Sequence, residues 1–147
     1  MDRGTAVVLT AIAGGVVALQ APINAHLGRA MGTAQALFIS FAIGTLALLA
    51  LAALAGGGLG TLGEARHVPW YYLSGGVLGA IYVGTVTVTV STLGAGGVTA
   101  VTIAGQLTMA VVVDQLGILG VGRHPISVGR VLGIALLAAG VYLIVRD

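Results

Sequence analysis

The feature that most constrains this chain is where its charges are missing. Residues 4–25 contain neither a charge nor a histidine, and residues 30–63 contain no charge. The 47 residues between Arg66 and Asp114 carry no formal charge, His67 being counted neutral. Each run is long enough to cross the roughly 30 Å hydrocarbon core of a bilayer, which takes about 20 apolar residues. Charged residues make up 7% of the 147-residue chain and apolar residues 58%, whereas soluble domains carry about 25% charge. Too little polar surface is present to wet a globule, so the expected class is an all-α integral membrane protein.

Placing breaks at the polar and glycine-rich joints gives five spans, at about 5–27, 33–55, 70–90, 97–116 and 126–145, in one transmembrane domain covering 1–147. The segment "AGGGLGTLGEARHVP" reads as a loop. Pro69 is placed at the first turn of the third span, and Trp70, Tyr71 and Tyr72 form an aromatic cluster suited to the membrane interface. The third long run is divided at "STLGAGG", residues 91–97. Pro125 is expected to open the last span, with Arg130 snorkelling toward the interface. "VGTVTVTVST" alternates with period two and would read as a strand in water. In lipid a lone strand leaves backbone groups unpaired, so helix is expected. A closed barrel is denied by the long unalternating apolar runs elsewhere.

A cleaved signal sequence is not expected. The positions around "ALQAP" lack a small-x-small cleavage pattern, and the rest of the chain is equally apolar. Under the five-span reading, Arg3, Arg66, Arg123 and Arg130 fall on one side of the membrane and Arg29 and Arg146 on the other. The four-to-two bias places the N-terminal side in the cytoplasm. It is small enough that both orientations can coexist. The net charge of +2 is too scattered for a nucleic-acid surface.

Uncharged polar residues inside the spans are the candidate functional groups, because polar atoms in hydrocarbon need partners or a water-lined cavity. Gln20 and Asn24 are four apart and share a helix face. Pro22, between them, has no N–H for the carbonyl of residue 18 and can bend the helix. The pair reads either as the lining of a cavity or as interhelical hydrogen-bonding. In "GQLTMAVVVDQLG", Gln106 lies near mid-span, about 12 Å along the axis from Asp114. Gln106 reads as cavity lining or a packed interhelical bond. Asp114 reads as a boundary residue pairing with Arg123 or Arg130, in preference to a proton-coupling site.

Tyr82 places a hydroxyl mid-span beside the Gly75–Gly79 step, which most simply means a close helix contact. Ser40 and Thr45 are weaker candidates because they can bond their own helix. His26 is read as a headgroup-level residue. Three scattered histidines and no cysteine make no metal site, and no nucleophile–base pair, phosphate loop or dinucleotide motif is present. No cofactor and no enzymatic activity are therefore expected.

Taken in order, several phrases resemble the YdcZ-like group, small five-span members of the drug/metabolite transporter superfamily. They are "LQAPINAHLG" (Gln20, Asn24, Gly28), "SFAIGT" (Ser40, Phe41, Gly44, Thr45) and "GGVLGAIYVG" after an aromatic loop. They continue with Gly105, Gln106, Asp114 and Gly117, and with the closing "PISVGRVLGIALLAAGV". The resemblance implies half of an inverted-repeat transporter fold, completed by an antiparallel second copy or a paired homologous chain. It implies a multi-pass protein of a prokaryotic inner or plasma membrane that moves a small polar metabolite or drug-like compound by alternating access. Gln20, Asn24, Tyr82 and Gln106 would contact substrate. Small four-span relatives carry a membrane glutamate in the first helix for proton-coupled export of cations. The first span here has no acidic residue, so facilitated flux, exchange or coupling through Asp114 is left. The alternative is a non-transporting accessory or assembly subunit, in which the amides serve packing.

Overall fold

A computed structural model describes residues 1–55 and 59–146. Glycines 56–58, inside the expected 55–69 loop, and Asp147 lie outside the described residues. Among the described residues there is no strand, and "VGTVTVTVST" is helical throughout. The helices are α1 (Arg3–Ala18), α2 (Gln20–Met31), α3 (Thr33–Leu54), α4 (Gly75–Leu116) and α5 (Val128–Val145), with 3-10 helical turns at Gly60–His67 and Trp70–Ser74. Four helical stretches are long and apolar enough to cross a membrane: Arg3–Met31, Thr33–Leu54, Trp70–Leu116 and Val128–Val145. The chain divides into two compact units, Met1–Ser91 and Thr92–Asp147.

In the first unit, α1 is capped by Asp2. Its carboxylate accepts from the Thr5 N–H at 3.0 Å and from the Thr5 hydroxyl at 2.5 Å. These bonds, the hydroxyl's first, hold the carboxyl below the usual range for aspartate. The helical path is interrupted at Leu19, one turn before Pro22. Pro22 has no N–H to offer Ala18, and its ring crowds that carbonyl. The chain responds by tightening: the Leu19 N–H donates to Val16 three residues back at 3.2 Å, with φ −74° and ψ −21°. Regular bonding resumes with Ile23 donating to Leu19 at 3.3 Å.

A single residue, Gly32, joins α2 to α3. Its φ of +95° is open to glycine and strained for other residues, and a Cβ there would fall 2.5 Å from Oε1 of Gln35. The turn lets α2 and α3 pack as a helical hairpin. Ala21 and Asn24 of α2 and Ala36 of α3 are buried, and a Cβ on Gly28 would touch the Thr33 backbone at 3.4 Å. The rest of α3 is largely bare. Leu46, Leu48 and Leu51 are 65%, 67% and 64% exposed, a surface that only lipid or another protein can cover.

After Pro69 the chain runs through a 3-10 turn before α4 begins at Gly75, so Pro69 precedes that turn and does not open the α-helix directly. Ring stacking orders this stretch. Trp70 meets Tyr71 edge-on at 6.3 Å, and Tyr71 meets Tyr72 at 4.7 Å. Along the first half of α4, Val83, Val86, Thr87 and Val90 are buried with the i, i+3, i+4, i+7 spacing of one helix face. A Cβ on Gly84 would sit 3.6 Å from Leu37 of α3. Gly75 and Gly79 face open space. The close contact read into that step is therefore not made among the described residues of this unit.

α4 leaves helical geometry at Gly94, with φ 68° and ψ 167°. That conformation is essentially restricted to glycine. No atom lies within 4 Å of a Cβ built there, so the constraint is in the backbone alone. Gly94→Ala is expected to lower stability by about 1–3 kcal/mol. Gly96→Ala, two residues on in regular helix with equally open space, is expected to be neutral or stabilising by up to about 1 kcal/mol. Unfolding of both variants in detergent micelles checks the contrast in sign.

In the second unit, α5 begins at Val128, two residues later than Pro125 suggests. The reason is Ser127, whose hydroxyl caps the helix by accepting from the Arg130 N–H at 3.3 Å. Residues 117–127 fold back over the end of α4, where helix carbonyls have no internal partner. His124 N–H donates to the Asp114 carbonyl at 2.8 Å, and Arg123 Nε donates to the Gln115 carbonyl at 3.1 Å. The Gln115 side chain accepts from the Ile126 N–H at 2.7 Å.

Candidate functional site

The candidate residues fall in both units. Gln20, Asn24 and Tyr82 belong to the first, and Gln106 and Asp114 to the second. Gln20 and Asn24 line one open groove of about 350 Å³ together with Ser40 of α3 and apolar residues of α1 and α2. The interruption at Leu19 sets this geometry. It ends α1, starts α2 at Gln20, and leaves the two amides one turn apart on α2.

Asn24 is 2% exposed, and its Nδ2 has no hydrogen-bond partner among the described residues. An orphaned buried donor is costly, about 1–3 kcal/mol, and rare enough to need an explanation. Gln20 and Ser40 are half-buried.

Tyr82 is half-buried at the edge of the α4 face formed by Val83, Val86, Thr87 and Val90. Thr87 was not singled out by sequence. It is 4% exposed, and its hydroxyl also lacks a partner among the described residues. The neighbouring threonines differ. Thr85 donates to the Ile81 carbonyl at 2.9 Å and Thr89 to the Thr85 carbonyl at 3.0 Å. The usable signal was helical spacing: position 87 falls on the valine face, whereas the period-two pattern drew attention to all three threonines alike.

Gln106 is exposed, close to halfway along the stretch between Gly94 and Leu116. Asp114 pairs with Arg130, Oδ2 to Nη1 at 3.0 Å, with the arginine side chain 35% exposed and the aspartate 27%. The same Nη1 donates to the His124 carbonyl at 3.4 Å. Of the two arginines proposed as partners, Arg130 takes the carboxylate and Arg123 takes a backbone carbonyl. Arg130→Leu is expected to lower stability by about 1–2 kcal/mol, the partial exposure keeping it below the cost of breaking a fully buried pair. Adding Asp114→Asn is expected to recover part of that loss, and a double-mutant cycle of unfolding free energies measures the coupling.

Among the described residues no three His, Asp or Glu side chains come together as a metal site. His26 Nδ1 lies 3.0 Å from Arg29 Nη2 near the end of α2, on the exposed surface. What the site offers chemically is hydrogen-bonding by neutral amides and hydroxyls in an apolar setting.

Four helical stretches long and apolar enough to cross a bilayer, with uncharged polar groups among them, define a multi-pass helical membrane protein. The chain belongs to the family described as "Putative inner membrane exporter, YdcZ", whose sequence profile matches residues 5–143. Comparison with curated proteins and with solved structures gives no match.

Proposed function

We propose that this chain is half of a secondary transporter. It exports a small polar metabolite or drug-like compound by alternating access, paired with an antiparallel second copy or a homologous chain in a prokaryotic inner membrane. The observation that carries the reading is Gln106, an amide exposed halfway along an apolar helical stretch. Facing lipid it would be costly, so it is read as facing a partner chain and a polar path. The open Gly75–Gly79 face supports the same pairing.

The span count follows from length. α4 has 42 residues, about 63 Å at 1.5 Å per residue, or twice the hydrocarbon thickness. Its break at Gly94 is read as the turn between a third and a fourth span, which brings the total to five. Gln20, Asn24, Tyr82 and Gln106 are the substrate contacts in this reading. Neutral amides do not titrate, and the Arg130 partner favours a pairing role for Asp114, so the driving step is read as facilitated flux or exchange. Proteoliposomes holding the purified chain test this across a metabolite panel. Saturable flux supports it, and its absence in a folded preparation removes it.

A further inference from the structure

The connection between α4 and α5 is not built like a water-facing loop. α5 has 18 residues, about 27 Å at 1.5 Å per residue. That is close to the hydrocarbon thickness, so residues 117–127, just before it, fall at headgroup depth. Ile118, Leu119, Val121 and Ile126 are all exposed there. Gly117, Leu119 and Gly120 are left-handed, with φ of 63°, 59° and 78°. Glycine or asparagine suits such a turn in water; an exposed leucine suits one that meets lipid.

The same loop carries positive charge that no acid answers. Arg123 is exposed, its Nε donates to the Gln115 carbonyl at 3.1 Å, and it makes no ion pair among the described residues. The Nε bond restrains the guanidinium and leaves the N–H groups of both Nη atoms for another acceptor. Asp114 is already taken by Arg130, and residues 115–146 contain no acid.

We propose that residues 117–127 form a binding surface for an anionic phospholipid. The lipid phosphate accepts from the two Nη atoms of Arg123, a planar fork suited to two phosphate oxygens. Ile118, Leu119, Val121 and Ile126 lie against the upper part of the acyl chains. A zwitterionic lipid offers the same phosphate but brings an ammonium beside Arg123 and Arg130, with no uncommitted carboxylate to receive it. A free phosphate would leave the apolar side chains in water, so the surface fits a lipid better. The inference goes beyond the transport reading and needs only that the chain spans a bilayer.

The full chain, purified in a nonionic detergent, is titrated with phosphatidylglycerol and phosphatidylcholine of the same acyl chains, and native mass spectrometry counts the bound lipid. Phosphatidylglycerol is expected to bind about fivefold more tightly, the worth of one arginine near an anionic headgroup. Arg123→Gln is expected to abolish that preference, and Arg29→Gln, at the end of α2, to leave it intact. Equal binding of the two lipids overturns the proposal. So does an equal loss in Arg29→Gln, which would make the preference one of net charge, or displacement of the lipid by an equal concentration of inorganic phosphate. The chain has no cysteine, so Leu119→Cys carries a single spin label. In phosphatidylglycerol nanodiscs the label is expected to be more accessible to oxygen than to a water-soluble nickel chelate. The reverse overturns the surface even if Arg123→Gln fails to fold.

Discussion

Gln106→Leu is expected to reduce substrate flux by about fivefold to a hundredfold while leaving the fold nearly unchanged. Leucine and glutamine have similar helix propensity, and Gln106 is exposed on the chain, so the substitution opens no cavity and orphans no internal partner. A lost interhelical bond would cost only about 0.6 kcal/mol on average. A substrate polar group that has left water and finds leucine in place of an amide loses far more, about 1–3 kcal/mol. Each 1.4 kcal/mol is a factor of ten. Flux and thermal unfolding measured on the same preparation separate the two roles. Unchanged flux would assign Gln106 to packing and favour an accessory subunit.

Tags on the two termini are expected on opposite faces of the membrane in every molecule, with each tag found on both faces across the population. The first expectation follows from five spans. A chain in which Trp70–Leu116 crossed once would have four spans and both termini on one side. The second follows from the weak arginine bias, with Arg3, Arg66, Arg123 and Arg130 set against Arg29 and Arg146. Arg3→Gln with Arg66→Gln equalises the count at two against two, which is expected to move the population further toward an even mixture. Protease protection in inside-out and right-side-out vesicles reads both quantities. Termini on one face would contradict the Gly94 turn, and a uniform orientation would contradict antiparallel pairing between identical chains, leaving a homologous partner chain or a parallel assembly.

Several features of the fold were readable because lipid leaves few choices. Charge-free runs had to be helical, and "VGTVTVTVST" is helical despite its strand-like alternation because backbone groups in hydrocarbon must bond internally. Pro22 marked a disturbance at residue 18, and the chain yields at Leu19. The resemblance carried by "LQAPINAHLG" and "SFAIGT" agrees with the family match.

Details set by single side chains were not readable. Ser127 moves the start of α5 past Pro125, and the turn at Trp70–Ser74 delays α4. The sharing of a face by Gln20 and Asn24 was legible from their spacing. The orphaned Nδ2 of Asn24 was not, since it depends on what α3 brings alongside, notably Ser40. Thr87 was legible in principle, since helical spacing sets it on the face of Val83, Val86 and Val90, but its unpartnered hydroxyl was not.

The central claim is that a site of neutral amides moves a small, polar, uncharged molecule. The most direct measurement is flux of such a compound into proteoliposomes, compared with an amine of the same frame, with and without a pH gradient. The account predicts saturable flux of the neutral compound that is indifferent to the gradient and lost in Gln106→Leu. Transport of the amine alone, driven by the gradient, would contradict it.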